Sequence, residues 1–588
     1  MDKNKGNGPC SAEVIKRIAA NKWLAIAQAV IVALCTWVLS FSDAYFMPYI
    51  LVSASALVCL FFNWKRDSDY STFEVWITLG FSLLFALMVT MANYNLWDTG
   101  GAYGVGKCLL LLFGTFVAFA NILFFVSSRK TISNHNTPDK GHRKVFLFTF
   151  LLIVAINSAI LFLCKYPGFL TMDSVLQVEQ TLNGAYTNSH PFYHTMILKL
   201  FISIGLALFG NMNAAVATYM VFQICLMALT FAFAVMTMKE SGAPKWSVFL
   251  LIVFFALMPY HIVYSFTLWK DVIFGGVVLL YTAFLYRMFK LIGNNIMNTI
   301  GLVVSGLGYC LLRNNGLIAY VGVTVLFLIV FRLQQKKLTF IMVAVILASF
   351  VLKHPVLKAL NVAQPDLMES LSIPIQQVAL DVIENDDFTE EEYNLINQVA
   401  DVKRIPETYE WYISDPMKDL VRESNNQQAI SEQKSAYIKL YFSRLLKHPS
   451  TYVKAWVDQT KGYWNSGYSY WIWCLYADGQ EIGIHSTVIW GGLNSFVNHA
   501  LSHFLKWKLL KPLVSIGFFV WCVLVCLYVS IIKKDKVLAI MAIPSLMVIA
   551  SLLVATPVFS EFRYAYSVFC TMPVIGAMAF MGYSKSQQ

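Results

Sequence analysis

The residues most able to do chemistry stand in a polar stretch, 166–194, between long apolar runs. This stretch contains Asp173, Gln177, His190 and His194. A carboxylate in such a loop can take a proton from a hydroxyl group, and it can equally cap a helix, so both roles stay open for Asp173. The two histidines are four residues apart, a spacing that can serve a metal but more often belongs to structural, hydrogen-bonded side chains. A substrate contact is the functional role considered for His190.

Three further short segments place charged side chains at the ends of apolar runs. They are Trp269-Lys270-Asp271, Arg313-Asn314-Asn315 and Glu561-Phe562-Arg563-Tyr564. Charged groups at such positions are costly unless they are paired or functional. Lys270 and Asp271 can simply pair with each other, and Arg313 can reach out to the membrane surface. The pattern around Arg563 is typical either of bidentate phosphate binding or of an interfacial anchor.

The composition decides which elements must position these residues. The chain has 588 residues, of which 58% are hydrophobic and 13% are charged. Soluble domains are about 45–50% apolar and about 25% charged, so a soluble enzyme, a disordered regulator and a fibrous protein are excluded. Neither a glycine-rich phosphate loop nor a Gly-x-Ser-x-Gly motif occurs, which argues against a nucleotide hydrolase or a serine hydrolase.

Apolar runs of about 20 residues predict about fourteen membrane spans. The predicted spans are 23–42, 46–63, 73–92, 103–127, 145–164, 212–237, 246–264, 271–288, 297–312, 316–331, 338–353, 511–532, 537–557 and 565–582. The sequence shows no internal repeat, so an inverted-repeat transporter gains no support. The expected fold class is therefore an all-α polytopic membrane protein.

The loops between these spans carry an uneven share of positive charge. With the N-terminus inside, the inner loops contain Lys65, Arg66, Arg129, Lys130, Lys140, Arg143, Lys144, Lys239, Lys245, Arg287, Lys290, Arg332, Lys336, Lys337, Lys533, Lys534 and Lys536. This arrangement obeys the positive-inside rule only if the apolar stretch 192–209 does not cross the membrane. Lys199 interrupts that stretch and Gly205 and Gly210 break it, so we expect a re-entrant or membrane-lying helix. The net charge of +11 is thus assigned to inner loops and not to nucleic-acid binding.

The same orientation places all four charged segments and one long polar segment, 354–510, on the outer side. Helical patterning predicts that this segment is a mostly helical extracytoplasmic domain. Its aromatic stretch 463–473 is suited either to stacking on sugars or to lying on the membrane. The eleven cysteines are scattered, without a Cys-x-x-Cys pair, which disfavours a disulfide-stapled ectodomain and favours a bacterial surface protein.

These pieces together resemble the integral-membrane GT-C glycosyltransferases, over about 145–582. The resemblance rests on the order and sidedness of a few motifs. An acid follows a span in the first outer loop, a His-Pro element leads into a membrane-lying helix, and a proline precedes an outer Lys-Asp pair. A late Glu-x-Arg-Tyr completes the set. In this chain the motifs are Asp173, His190-Pro191, Phe209-Gly210-Asn211, Pro259 with Lys270-Asp271, and Glu561-x-Arg563-Tyr564.

The resemblance implies four regions. They are a four-span N-terminal region (1–144), a GT-C-like core (145–353), an extracytoplasmic domain (354–510) and a three-span C-terminal region (511–588). It also implies a multi-pass protein of the bacterial plasma membrane with its active site on the extracytoplasmic face.

The family implies a sugar donor carried on a polyprenyl phosphate and an acceptor glycan, lipid or protein presented outside. Asp173 would be the base of an inverting transfer, and Asp271 would orient its partner or hold a divalent cation, the one cofactor considered. Donor and substrate contacts would come from Arg563, Lys270, Arg313, His190, Gln177, Glu561 and Tyr564. The alternatives are a transporter or flippase for an envelope precursor, whose charges should face both sides, and a non-catalytic assembly scaffold.

Overall fold

The computed structural model describes residues 22–39, 46–65, 70–99, 101–128 and 141–581. Arg66, Arg129, Lys130 and Lys140, which belong to the expected basic inner loops, lie outside these residues. Within the described ranges the chain is helical, and extended backbone occurs only in isolated bridges between single residues. The chain is an all-helical polytopic membrane protein, as its composition predicts.

The helices before residue 360 are α1 (Lys22–Leu39), α2 (Phe46–Lys65), α3 (Thr72–Ala92), α4 (Gly101–Ser127), α5 (His142–Cys164), α6 (Met172–Asn183), α7 (Phe192–Phe209), α8 (Met212–Glu240), α9 (Lys245–Leu257), α10 (Pro259–Ser265), α11 (Lys270–Lys290), α12 (Asn295–Leu311), α13 (Gly316–Phe331) and α14 (Lys336–Val351). The later helices are α15 (Ser372–Glu384), α16 (Glu390–Asn397), α17 (Ile405–Thr408), α18 (Asp415–Glu423), α19 (Gln428–Glu432), α20 (Lys434–Lys447), α21 (Pro449–Trp464), α22 (Gly491–Lys506), α23 (Ile516–Ile532), α24 (Lys536–Ala555) and α25 (Tyr566–Met581).

Length and composition identify the helices that can cross a membrane. In the described part of the chain there are nine, or up to eleven if two bent pairs each count as one span. In four further helices, α1, α2, α12 and α13, the described apolar stretches are shorter; they are Trp23–Leu39, Tyr49–Asn63, Asn295–Leu311 and Gly316–Phe331. The expected number of about fourteen spans therefore stays a prediction.

The two bent pairs interrupt spans that the hydropathy pattern treats as straight. The first bend, of 51°, lies between α9 and α10, and the second, of 63°, lies between the turn Lys508–Val514 and α23. Proline explains the first break, because Pro259 has no N–H to continue the hydrogen-bond ladder of α9. The break matters for function, since it leaves irregular backbone at 266–269 directly before α11.

The spans are apolar on both faces, as helices between lipid and a protein core must be. In α13 one face, including Ile318, Val325 and Ile329, is exposed, while Tyr320 and Val323 of the other face are fully buried. A stripe of exposed aliphatic side chains is unfavourable in contact with water. This face of α13 therefore marks the surface that contacts lipid.

Two hydrophobic cores hold the molecule together. The larger core joins the spans to residues of α21 and of the segment behind it, such as Tyr463, Trp473 and Ile484. A separate, smaller core within 368–440 contains Met368, Ile405 and Leu440. The long polar segment thus has two parts: a small helical layer with its own core, and a later stretch that packs into the membrane bundle.

The aromatic stretch 463–473 belongs to the larger core. Tyr463, Trp464 and Trp473 are buried, and Trp521 Nε1 donates a hydrogen bond of 2.8 Å to the carbonyl oxygen of Trp464. Only Tyr470 of the tyrosines and tryptophans in this stretch is largely exposed. Neither sequence-based interpretation of the stretch, sugar stacking or membrane contact, therefore fits the buried rings of Tyr463, Trp464 and Trp473.

The ends of α5 and α8 define two ends of the bundle. At the lower end, Glu240 at the end of α8 lies 3.5 Å from His142 at the start of α5. At the upper end, Asn213 near the start of α8 exchanges hydrogen bonds with the backbone of His485, and Thr487 donates to the carbonyl oxygen of Tyr166 just after α5. The two helices therefore run antiparallel, and the chain between them begins and ends at the upper end.

Helix α7 lies within the segment between α5 and α8, which begins and ends at the upper end. It follows His190, which contacts Lys270 at the upper end of α11, and it ends at Gly210, directly before α8. His194 near its start and Gly205 near its end both approach the short stretch 215–219 of α8. By length and composition alone, α7 also counts among the nine candidate spans.

Candidate functional site

Three extended segments form a backbone frame at the upper end. The segments 166–170 and 266–268 exchange two hydrogen bonds of 2.9 Å, one from Phe169 N–H to the carbonyl oxygen of Phe266. The segment 474–478 joins the other edge, again through backbone groups. Because 166–170 leads into α6 and 266–268 leads into α11, the frame fixes where the first turns of these two helices begin.

Gly168 allows the first two segments of this frame to approach closely. Its φ of +123° is one that residues with a Cβ rarely adopt. A Cβ at this position would stand 2.8 Å from the carbonyl oxygen of Phe266 and 2.8 Å from the Met220 side chain. The motif that ends at Asp173 thus contains a glycine because the neighbouring backbone leaves no room for a side chain.

Side chains then join the N-termini of α6 and α11. Thr171 is the N-cap of α6, and its hydroxyl oxygen accepts a hydrogen bond of 3.0 Å from Trp269 Nε1. Ser174 Oγ donates to the carbonyl oxygen of Leu268 at 2.5 Å. Thr171 therefore takes the capping position that Asp173 was also considered for, and the Asp173 carboxylate is available for another contact.

That contact is with Arg563, 390 residues away in sequence. Arg563 Nη1 lies 2.9 Å from Asp173 Oδ2. The Asp173 side chain is 43% exposed, whereas that of Arg563 is 14% exposed, so the carboxylate faces the outside of the pair. The Arg563 guanidinium also lies 5.3 Å from the Trp269 ring, a cation–π distance.

Lys270 and His190 complete this side of the cluster. Lys270 Nζ lies 3.0 Å from His190 Nδ1. Burial and the charge of Lys270 lower the pKa of His190 to about 3, so the imidazole is neutral near pH 7 and can accept from the ammonium. Partial burial raises the pKa of Asp173, but the positive charges of Arg563 and Lys270 outweigh it and hold that pKa at about 2. Asp173 is therefore ionised at any physiological pH.

Asp271 and Arg313 form a second, deeper ion pair. Asp271 is 1% exposed, and its carboxylate lies 3.1 Å from Arg313 Nη1. The same guanidinium donates to the backbone carbonyl oxygen of Tyr564 at 2.8 Å and lies 4.6 Å from the Tyr564 ring. Asp271 thus holds Arg313 in place and is not open to an acceptor. The role of Asp271 as a second catalytic carboxylate stays a prediction that this burial does not favour.

Lys353 fixes the loop that carries Arg313. Its ammonium donates to the carbonyl oxygens of Cys310, Arg313 and Asn314 at 3.2, 3.1 and 3.0 Å. The carbonyl oxygen of Arg313 also accepts from the N–H of Gly316, and a buried carbonyl left unpaired at such a turn costs about 1–3 kcal/mol. Lys353 therefore positions the loop, and it also adds a positive charge to this region.

Glu561 stands behind Arg563. Its side chain is 5% exposed, and Oε1 lies 3.3 Å from Arg563 Nε in an ion pair without a hydrogen bond. Burial raises the pKa of Glu561 to about 7, although the charge of Arg563 opposes the rise. Arg563 thus has one carboxylate that is always ionised, Asp173, and one that titrates near neutral pH.

The structure brings eight of the nine predicted site residues into this cluster: Asp173, His190, Lys270, Asp271, Arg313, Glu561, Arg563 and Tyr564. Gln177 is different, because it is buried on the inner face of α6 and donates to Thr195 Oγ1 at 2.9 Å. His194 also points inward, where Nε2 lies 2.9 Å from the Tyr219 hydroxyl. The His190–His194 spacing therefore does not make a metal site.

A divalent cation would need several ligands close together within the described part of the chain. In that part, no group of three or more His, Cys, Asp or Glu side chains is arranged to hold a metal ion. The carboxylates of the cluster instead pair with arginines, as Asp173 does with Arg563 and Asp271 with Arg313.

Three residues with a clear positioning role were missed in the sequence. Trp269 was interpreted only as an interfacial residue, and Lys353 was assigned to the end of a span. Gln223 lies in the middle of α8, where its amide donates to the carbonyl oxygens of Tyr264, Ser265 and Thr267 at 3.0, 3.2 and 2.8 Å. A polar residue inside a span is a usable signal, since irregular backbone in a membrane must be satisfied by protein groups.

The charges of the cluster favour an anion. Asp173 and Asp271 contribute two negative charges, and Glu561 contributes at most a third near neutral pH. The positive groups are Lys270, Arg313, Lys353 and Arg563. The N-termini of α6 and α11 add partial positive charge at the same place. An arginine at the surface of such a cluster can bind a phosphate with two parallel hydrogen bonds.

Comparison with known proteins gives a match to a family model. No curated protein and no solved structure matches the chain. One family model covers every residue of the charged cluster except Asp173, which lies just before its first matched position. The chain belongs to DUF6020, a family of unknown function, whose model matches residues 180–588.

Proposed function

We propose that this protein is a membrane glycosyltransferase that moves a sugar from a polyprenyl-phosphate carrier to an acceptor at the upper end of the bundle. The observation that carries the proposal is the ion pair between Asp173 and Arg563. It places a carboxylate that can take a proton directly beside an arginine that can bind a phosphate. Such a transferase needs these two groups side by side, because the acceptor hydroxyl attacks the carbon that bears the phosphate.

The donor phosphate would compete with Asp173 for Arg563. Arg563 Nε is buried and faces Glu561 Oε1 at 3.3 Å, so a phosphate would reach the guanidinium from the Nη1 side, where the exposed Asp173 lies. When a phosphate takes over Nη1, the Asp173 carboxylate loses the partner that contributes most to lowering its pKa. Its basicity would then rise as the donor binds, which couples the presence of the donor to the readiness of the base.

The chemical step follows from these roles. The acceptor oxygen forms a bond to the anomeric carbon, while the bond between that carbon and the phosphate oxygen breaks. Asp173 accepts the hydroxyl proton, and the polyprenyl phosphate leaves with the bonding electrons, held by Arg563 and Lys270. A single displacement of this kind inverts the anomeric configuration.

The placement of the site on the outer side of a bacterial plasma membrane belongs to the same proposal. Basic segments lie at the lower end of the bundle. Examples are Lys533–Lys536, where α23 is followed by α24, and Arg332–Lys337, where α13 is followed by α14. The segment 165–211 starts and finishes at the upper end, which supports a re-entrant or membrane-lying α7. If α7 does not cross and the four shorter apolar helices do, the spans number fourteen and the site lies outside.

The test is turnover by the purified full chain in lipid nanodiscs, given polyprenyl-phosphate hexoses or pentoses and an envelope extract as acceptor. We expect Asp173→Asn to lower the transfer rate by about 10²–10⁴-fold, the contribution of a positioned base. Donor binding should persist, because Arg563 and Lys270 remain. Asp401→Asn is the matched control, since Asp401 caps an exposed turn and Asn caps equally well.

Two outcomes would contradict the proposal. Turnover of Asp173→Asn within a few-fold of the wild-type rate would remove Asp173 as the base. Movement of an intact lipid precursor across the bilayer, without sugar transfer, would point instead to the flippase alternative. A scaffold would give neither reaction with the wild-type chain.

A further inference from the structure

A second polar cavity lies at the upper end, next to the charged cluster but separate from it. It encloses about 600 Å³, within the range of about 300–1,000 Å³ of small-molecule sites. Its walls come from four parts of the chain: the turn after α3, the small helical layer, the end of α21 with the segment behind it, and the loop after α24. Three of the lining residues, Gly467, Tyr468 and Ser469, belong to the aromatic stretch 463–473, whose composition is suited to stacking on sugars or to lying on the membrane.

An acid–base pair surrounded by aromatic rings forms the wall of this cavity. Asp458 is 4% exposed and Lys461 is 8% exposed, and their side chains lie 2.8 Å apart. The Lys461 ammonium stands 4.3 Å from the Trp411 ring centroid and 5.2 Å from that of Tyr468. The Tyr94 hydroxyl donates to Asp458 Oδ2 at 2.7 Å. Flat apolar surfaces thus alternate with hydrogen-bonding groups that are held rigidly.

The charges in this cavity balance, in contrast to those of the cluster around Arg563. Lys461 pairs with Asp458, and Lys454, which also lines the cavity, pairs with Glu384 at 2.6 Å. A phosphate or polyanion would therefore gain little here. Sugar rings present a C–H face that packs on an aromatic ring and hydroxyl edges that hydrogen-bond to carboxylate, hydroxyl and ammonium groups.

A short loop connects the cavity to the charged cluster. Phe559 lines the cavity, and Glu561, two positions later, faces Arg563. The loop is fixed from the cavity side, because the backbone N–H of Glu561 donates to the Tyr463 hydroxyl at 3.2 Å. A ligand seated against Phe559 therefore lies one loop away from the place where sugar transfer is proposed.

We propose that this cavity binds a neutral carbohydrate through Trp411, Tyr468 and the Asp458–Lys461 pair. Resting on the proposed function, that carbohydrate is the glycan portion of the acceptor, whose terminal hydroxyl extends toward Asp173. Among the acceptor classes considered from the sequence, the cavity thus selects a glycan over a lipid or a protein.

Binding of labelled neutral oligosaccharides to the full chain in nanodiscs, without any donor, tests the proposal. Oligomers of glucose, galactose and N-acetylglucosamine serve as probes, and a polyuronate serves as the charged comparator. We expect Trp411→Ala and Asp458→Asn each to weaken binding by about tenfold or more. Trp411 is 41% exposed, so its removal should leave folding intact. Trp490→Ala, at a 58% exposed tryptophan outside the cavity, should bind like wild type.

The results separate this proposal from the proposed function. Absence of neutral-glycan binding, tighter binding of the polyuronate, or equal binding by wild type, Trp411→Ala and Asp458→Asn would each overturn the cavity assignment. If the same preparations still consumed the lipid donor in an Asp173-dependent reaction, the cavity assignment would fail and the proposed transferase function would stand. Glycan binding that depends on Trp411, in a chain that never consumes a lipid-linked sugar, would uphold the cavity and refute the transferase.

Discussion

Arg444, which is buried, and Arg563, which is half-buried, both pair with an aspartate, yet their surroundings differ. Arg444, in the small helical layer, is 0% exposed and makes two hydrogen bonds to Asp381, of 2.7 and 3.2 Å. It also lies 2.9 Å from Asp387 and stacks on the Phe388 ring. Arg563 has a single hydrogen bond to Asp173, whose side chain is 43% exposed.

The difference separates a charge that holds the fold from a charge that can bind a ligand. The Arg444–Asp381 pair is closed, because the two side chains are 1% and 0% exposed, and the exposed Asp387 is only an additional partner of Arg444. The Arg563 pair is open on the Asp173 side and leaves Nε without a hydrogen bond among the described residues. Removing Arg444 should therefore damage stability, whereas removing Arg563 should damage chemistry.

The largest effect in this comparison should be that of Arg444→Met. The substitution leaves Asp381 as an unpaired buried charge, which costs about 3–5 kcal/mol. We expect this loss in the free energy of unfolding of the 368–440 core, measured by proteolysis of the full chain in increasing urea. The double variant Arg444→Met with Asp381→Leu should recover most of the loss, because neither charge remains. A single variant as stable as wild type would show that the pair is not structural.

The next effect should be that of Arg563→Lys on sugar transfer. A lysine keeps the positive charge but loses the planar fork, and one charge-assisted hydrogen bond is worth about 1.5–3 kcal/mol. We expect turnover or donor affinity to fall by about 10–100-fold while the melting temperature stays near that of wild type. Arg404→Lys, in an exposed pair with Glu423, is the matched control. Wild-type rates of sugar transfer in both Arg563→Lys and Arg563→Ala would contradict the ligand-binding role of Arg563.

The smallest effect should be a change of donor affinity with pH. Because the pKa of Glu561 is raised to about 7, the residue is mostly neutral at pH 6 and mostly ionised at pH 8. The added negative charge beside Arg563 should repel the donor phosphate, so donor affinity should fall a few-fold as the pH rises through 7. Glu561→Gln should flatten this dependence, measured as donor affinity from pH 6 to 8. His190→Gln should not, since the pKa of His190, about 3, lies below that window. The same slope in wild type and Glu561→Gln would exclude Glu561 as its origin.

Hydropathy predicted most of the fold because a span needs little more than an uninterrupted apolar run. The predicted span 145–164, for example, becomes α5 (His142–Cys164). The breaks inside spans were not predicted, since the hydropathy of α9 and α10 continues across Pro259. The interior position of Tyr463 and Trp464 was also missed, because an aromatic run has the same composition in a core and at a membrane surface.

The gathering of the charged segments could be predicted from sidedness, but their pairing could not. Asp173 and Arg563 are 390 positions apart, and no local pattern indicates which arginine meets which acid. Gln177 could have been excluded as a site residue. It shares the buried face of α6 with Ser174 and Val178, the spacing of three and four that marks the inner side of a helix.

The frame of extended segments around Gly168 has a consequence for how this family can diversify. Hydrogen bonds between main-chain groups of 166–170, 266–268 and 474–478 hold the frame together. Apart from the glycine at 168, these hydrogen bonds do not depend on which side chain a residue carries. Side chains that project from the frame can therefore be exchanged without rebuilding it. Members that retain a glycine at the position of Gly168 can acquire a different substrate preference through a few substitutions, while the main-chain scaffold persists.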